Sequence, residues 1–124
     1  MIHIVGAGPG DPELITVKGA RYLAEADVVI YAGSLVNPAL LSMCKEGAEI
    51  HNSAHMTLDE VVETIAQAEA EGKMTVRLHT GDPAIYGAIQ EQMDAWEKRG
   101  FDYDVVPGVS SFLGTAAALR QEYT

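Results

Sequence analysis

Short β-type runs alternate with helix signals along the whole chain, and this alternation restricts the fold more than any other feature. Candidate strands, short runs of β-type character, fall at 2–5, 28–31, 48–51, 74–79 and 103–106. Helix signals fill the gaps. Thr16 caps a helix reaching Ala26, and Asn37-Pro38 sets a cap and a first-turn proline before a short one. Thr57 and Glu60 form a capping box ahead of Leu58, Val61, Val62 and Ile65, which share one face, and that helix stops at Gly72. A fourth helix is expected from about Ala84 to Gly100, with Ile85, Ile89, Met93 and Trp96 on one face. The last starts near Ser110 and carries the apolar stretch from Phe112 to Leu119. Strands alternating with helices in this way are joined by right-handed crossovers. The expected fold is α/β, a mainly parallel five-stranded sheet flanked by helices.

Composition narrows the partners. With 124 residues and 48% hydrophobic content, the chain can bury a core of its own. A net charge of −10 argues against nucleic acid and anionic membranes, both of which repel an acidic protein. Cys44 is the single cysteine, so no internal disulfide can form, and a reducing, cytoplasmic setting is expected. Met1-Ile2-His3-Ile4-Val5 lacks the basic start of a signal peptide, and no stretch has the length of a membrane-spanning helix.

In parallel sheets ligands bind outside the carboxyl ends of the strands. The loops at 6–13, 31–37, 52–56, 80–83 and 107–111 all fall on that edge. The first, Gly6-Ala7-Gly8-Pro9-Gly10-Asp11-Pro12, is conformationally fixed by its glycines and prolines. It is no dinucleotide fingerprint, because Pro9-Gly10-Asp11 stands where the third glycine belongs, and no Gly-Lys-Ser/Thr follows for a P-loop. Thr80-Gly81-Asp82-Pro83 offers a hydroxyl, bare backbone and a carboxylate; Asp82-Pro83 and Asp11-Pro12 are equally helix caps followed by a proline. Pro107-Gly108-Val109-Ser110-Ser111 supplies two hydroxyls and free N–H groups at a helix start, or simply a tight turn with a serine cap.

Other chemistry is poorly served. His51 and His55 span a strand end and a loop rather than one helix face, so no metal site is expected. His79 is read as a satisfied strand-end histidine and Cys44 as a small apolar side chain. The acidic runs at 60–71 and 90–98 are solvated helix faces. No nucleophile–base pair stands out among sequence neighbours, and no catalytic residue is assigned.

Together the loops are more specific than any one alone. Gly6-Ala7-Gly8-Pro9-Gly10-Asp11 with Leu14-Ile15-Thr16, Tyr31-Ala32-Gly33-Ser34, Gly81-Asp82-Pro83-Ala84-Ile85-Tyr86-Gly87 and Val106-Pro107-Gly108-Val109-Ser110-Ser111 resemble, in order and spacing, the tetrapyrrole methylase family. Finer likeness, in Tyr31-Ala32-Gly33-Ser34-Leu35-Val36-Asn37-Pro38, in 53–57 and in Tyr86-Gly87-Ala88-Ile89-Gln90-Glu91-Gln92-Met93, is to the branch acting on C11 of precorrin-4 or cobalt-precorrin-4. The resemblance implies an S-adenosylmethionine-dependent methyltransferase of two domains, with the cofactor in the cleft between them and a homodimeric assembly. It implies that 1–119 is the amino-terminal domain and 120–124 the start of a linker to a second domain, so that this chain holds half of the cofactor site and is inactive alone. The family's cofactor contacts fall on Pro9, Thr80, Gly81, Asp82, Ile85, Ser110 and Ser111; many relatives carry Gly at the place of Thr80, a change that a backbone contact would survive. Asp82 would meet the cofactor's cationic end or another polar group. Tyr86 is assigned to the substrate. The carboxylate-rich tetrapyrrole needs cations, for which Lys18, Arg77 or the second domain are candidates. The competing reading is a flavodoxin-like module that uses the same loops for a nucleotide or phosphate.

Overall fold

A computed structural model describes residues 1–33, 36–85 and 89–123. Five strands, β1 (Ile2–Gly6), β2 (Val28–Tyr31), β3 (Glu49–Asn52), β4 (Thr75–His79) and β5 (Tyr103–Val106), form one sheet in the order β3-β2-β4-β1-β5. Every pairing is parallel, with Ile2 beside both Thr75 and Tyr103, and Val28 beside both Glu49 and Thr75. The expected parallel sheet is therefore present.

The helices are α1 (Val17–Glu25), α2 (Pro38–Leu41), α3 (Leu58–Ala70), α4 (Gln90–Lys98) and α5 (Ser111–Leu119). Their starts are chemical. Thr16 Oγ1 accepts from Gly19 N at 3.0 Å, Asn37 Oδ1 from Ala39 N at 2.9 Å, and Thr57 and Glu60 close a reciprocal capping box. α3 ends just before Gly72, whose φ of 70° suits glycine.

One helix differs from expectation. α4 begins at Gln90 rather than near Ala84. Asp82 closes a single turn instead, accepting from Ala84 N with its side chain and from Ile85 N with its carbonyl. Ile85 consequently lies off the Met93–Trp96 face and is exposed. β3 is shifted by one residue from 48–51, a difference within ordinary boundary scatter.

Strand alternation sorts two cores. Val5, Val29, Val76, Leu78 and Val106 pack with Leu23 of α1 and Leu40 of α2. Ile2, Ile4, Val28 and Ile30 pack on the opposite face with Val61 and Ile65 of α3 and Trp96 of α4. β1 thus hands the chain to one face and its neighbour β4 to the other. The sheet switches direction between them, which is where doubly wound sheets bind their ligands.

Candidate cofactor cleft

All five loops at the carboxyl edge are tied to one another. Ser53 Oγ donates to Tyr31 O at 3.0 Å, joining the β3 and β2 loops. Asn37 Nδ2 donates to Gly10 O at 2.7 Å, joining the β2 and β1 loops. Gly8 and Gly81 exchange two backbone bonds of 3.2 and 2.8 Å across the switch point. Asp82 Oδ2 accepts from Gly108 N at 3.0 Å, joining the β4 and β5 loops.

Glycine makes the closest of these approaches possible. A Cβ on Gly108 would stand 2.2 Å from Gly81 O, and one on Gly6 would stand 2.6 Å from Gly108 N and Cα. Gly8 and Gly81 adopt φ of 81° and 65°, the left-handed region in which a side chain is strained.

The loops enclose a cleft of about 270 Å³ lined by Thr80, Gly81, Asp82, Ile85, Ser110, Ser111 and Phe112. Six of the seven cofactor residues expected from sequence therefore share one wall. Pro9 lies in an adjoining groove of about 520 Å³ with Asp11, Leu14 and Gly114, and Ser111 borders both. Pro9 supports α5 directly, since a Cβ on Gly114 would fall 2.7 Å from its ring. Tyr86 lies outside the described residues.

The cleft pairs polar and apolar walls. Thr80 Oγ1 is buried without a hydrogen-bond partner among the described residues. Ser110 is buried at the N-cap of α5, and its side chain makes no capping bond among the described residues. Leu113 N and Gly114 N both donate to Ser110 O at 3.0 Å, which leaves the N–H groups of Ser111 and Phe112 at the start of α5 facing outward, where the positive end of the helix dipole favours an anionic or carbonyl group. Ile85 and Phe112 supply apolar surface, each more than a third exposed. Phe112 is not among the site residues expected from sequence, although its place as the second residue of a helix opening on the edge is a usable signal.

Asp82 is structural on both oxygens. Oδ1 accepts from Ala84 N at 2.8 Å while Oδ2 holds Gly108, so the carboxylate is already engaged by two N–H groups. Asp11 behaves as a cap, accepting from Glu13 N at 2.9 Å.

Two buried polar residues of β4 differ from expectation. Arg77 is 5% exposed and donates to Gln92 Oε1 at 2.9 Å and to Ile30 O at 3.3 Å, so it is a core residue and no anchor for substrate carboxylates. Burial pushes its guanidinium down to about 10. His79 is buried as expected but not satisfied, for its Nε2 has no partner among the described residues. Burial, with Arg77 next in effect, holds its ring down to about 4, so it is neutral at physiological pH. Lys18 lies 5.7 Å from the Tyr22 ring and Arg21 5.3 Å, on α1. Cys44 is half-buried against the α1–α2 core, and burial pushes its thiol up.

The larger groove of about 690 Å³ along α3, lined by His51, Met56, Glu60, Glu63 and Gln67, holds none of the expected residues. Among the described residues no group of three His, Cys, Asp or Glu could hold a metal, and no helix is long and apolar enough to cross a membrane.

A parallel sheet with this loop collar defines a class, and comparison with known proteins agrees. The chain belongs to the tetrapyrrole (corrin/porphyrin) methylases, matching that family over residues 1–124. It is 58% identical over 123 residues to the cobalt-precorrin-4 C(11)-methyltransferase of Methanocaldococcus jannaschii, covering 99% of this chain and 48% of that protein. A solved cobalt precorrin-4 methyltransferase superposes with a TM-score of 0.97 at 54% identity, covering 99% of this chain and 52% of that one. The uroporphyrin-III C-methyl transferase of Thermus thermophilus, in complex with S-adenosylhomocysteine, superposes with a TM-score of 0.79 at 34% identity, covering 93% of this chain and 47% of that one. The chain spans about half the length of the curated relatives it matches.

Proposed function

We propose that this chain forms one wall of the cofactor cleft of an S-adenosylmethionine-dependent methyltransferase acting on C11 of precorrin-4 or cobalt-precorrin-4. The observation that carries the reading is the convergence of Thr80, Gly81, Ile85, Ser110 and the start of α5 on one cleft. Hydroxyls, bare backbone and a helix start that meet two apolar side chains suit a ligand with both polar and apolar parts. The names of the 58% identical relative and of the structural neighbour in complex with S-adenosylhomocysteine support the substrate and cofactor class.

The residues present fit that cofactor. Ser110, Thr80 and the Gly81 backbone suit polar edges, Ile85 and Phe112 suit an apolar part, and the start of α5 suits a carboxylate. When bound, S-adenosylmethionine supplies a methyl group activated on a sulfonium. The chain's part is positional: the tied loops fix the cleft before the ligand arrives, and the apolar lining helps to exclude water. Asp82 acts by holding Gly108 and the 84–85 turn in place rather than by meeting the ligand's cation. Tyr86 is the proposed substrate-facing residue.

The same reading makes 1–119 the amino-terminal domain and 120–124 the start of a linker to a second domain, in a homodimeric cytoplasmic enzyme. With Arg77 in the core and a net charge of −10, cations for the substrate's carboxylates fall to the second domain. Calorimetry with S-adenosylhomocysteine, FMN and ATP tests the reading, on this chain and on one extended to the length of its relatives. The extended chain should bind S-adenosylhomocysteine alone, and this chain more weakly. Binding of FMN or ATP without S-adenosylhomocysteine would establish a nucleotide module instead.

A further inference from the structure

We propose that Asn37 is a positioning residue that clamps the glycine-rich β1 loop in its ligand-binding form. Its side chain does two jobs at once. Oδ1 accepts from Ala39 N at 2.9 Å and caps α2, a role that Asn-Pro at a helix start already suggests. Nδ2 reaches 27 residues back along the chain and donates to Gly10 O at 2.7 Å. The second bond has no counterpart in capping.

Gly10 is the point at which the loop needs such a tie. Its φ is 123°, and a Cβ placed there would meet nothing within 4 Å, so packing does not restrain the tip. On the amino side the loop is pinned by the Gly8–Gly81 bonds, and on the carboxyl side by Asp11, whose side chain and carbonyl hold Glu13 and Leu14. Between these pins lie Pro9 and Gly10, and the bond to Gly10 O comes from Asn37. Pro9 in turn supports Gly114 of α5, the helix whose start carries Ser110 and Ser111. Loosening Gly10 therefore reaches the cleft through Pro9 and α5. This positioning role rests on the proposed cofactor reading for its effect on affinity, though not for its effect on the loop.

Asn37→Ser and Asn37→Asp separate the two jobs. Both keep an oxygen that caps α2 about as well as Asn, and both lose the Nδ2 amide, the serine hydroxyl being too short to cap α2 and reach Gly10 O together. Two readouts are taken: backbone ¹⁵N order parameters at Gly8, Gly10 and α2 on this chain, and affinity for S-adenosylhomocysteine by calorimetry on the chain extended to the length of its relatives. The expected result is a Gly10 order parameter falling from about 0.85 toward 0.6, unchanged values in α2, affinity weakened about tenfold and a melting temperature lowered by only a few degrees. Wild-type order parameters and affinity in both variants would overturn the clamp. Loss of order in α2 of the Ser variant would also overturn it, assigning Asn37 to capping alone. Should the chain extended to the length of its relatives fail to bind S-adenosylhomocysteine, the cofactor reading is what fails; Gly10 then decides the clamp alone, a fall supporting it and an unchanged value overturning it.

Discussion

Gly108 rests against Gly81 so closely that a Cβ on Gly108 would lie 2.2 Å from the Gly81 carbonyl oxygen. The neighbour is backbone, held by the Gly8–Gly81 bonds, and cannot rotate away. Gly108→Ala should therefore force the β5 loop off the β4 loop, at a cost of about 1–3 kcal/mol. Urea unfolding measures it. A loss below about 0.5 kcal/mol would mean that the two loops are not in contact.

Asp82 binds the same two loops through charge. Its carboxylate accepts from Ala84 N and Gly108 N, and both bonds are lost in Asp82→Ala. The expected destabilisation is about 2 kcal/mol without any ligand, because one cap and one charge-assisted bond disappear. Thermal unfolding in the absence of ligand decides the matter. An unchanged melting temperature would assign the carboxylate to the ligand instead.

His79 makes stability depend on pH in a defined window. The ring ordinarily titrates near 6.5 and is held down to about 4 in the folded chain. The unfolded chain therefore takes up the proton first as pH falls. The contribution is whole above pH 6.5 and is lost as pH drops toward 4, about 3 kcal/mol in all. His79→Leu removes the titrating group and the unpartnered Nε2 together. Denaturation curves at pH 7, 6, 5 and 4.5 should show a shallower loss for the variant than for the parent; parallel curves would contradict a buried neutral His79.

Arg77 and Gln92 should behave as a unit. The guanidinium donates to neutral acceptors, Gln92 Oε1 and Ile30 O, inside the α3–α4 core. Arg77→Met alone leaves the Gln92 amide buried without its partner and should cost about 2–4 kcal/mol. Gln92→Leu added to it should recover at least half of that loss. A double-mutant cycle with no coupling would show that the bond contributes nothing.

Much of this molecule follows from local chemistry. The capping box at Thr57 and Glu60, the Asn37-Pro38 start and the five β-type runs each dictate their element within a few residues, so sheet and helices were legible. The false start of α4 at Ala84 has a local cause as well: Asp82-Pro83 signals a helix, but its carboxylate closes one turn and reaches across to Gly108. Properties that depend on distant partners were not legible. Asn37 reads as a cap, and nothing near it in sequence announces Gly10. Arg77 reads as a free cation until the fold sets Ile30 and Gln92 against it. The clustering of Thr80, Ser110 and Ser111 likewise follows from β1 lying between β4 and β5, a matter of strand order.

The central claim, that the loop collar is one wall of an S-adenosylmethionine cleft, is tested most directly by titrating ¹⁵N-labelled chain with S-adenosylhomocysteine. Mapping the amide shifts gives location as well as affinity, and so reads even a weak half-site. The account predicts saturable shifts at Thr80, Gly81, Asp82, Ile85, Ser110, Ser111 and Phe112, with His51 and Glu63 in the α3 groove unmoved. Shifts centred on the α3 groove, or none at the collar while FMN or ATP moves it, would contradict the account.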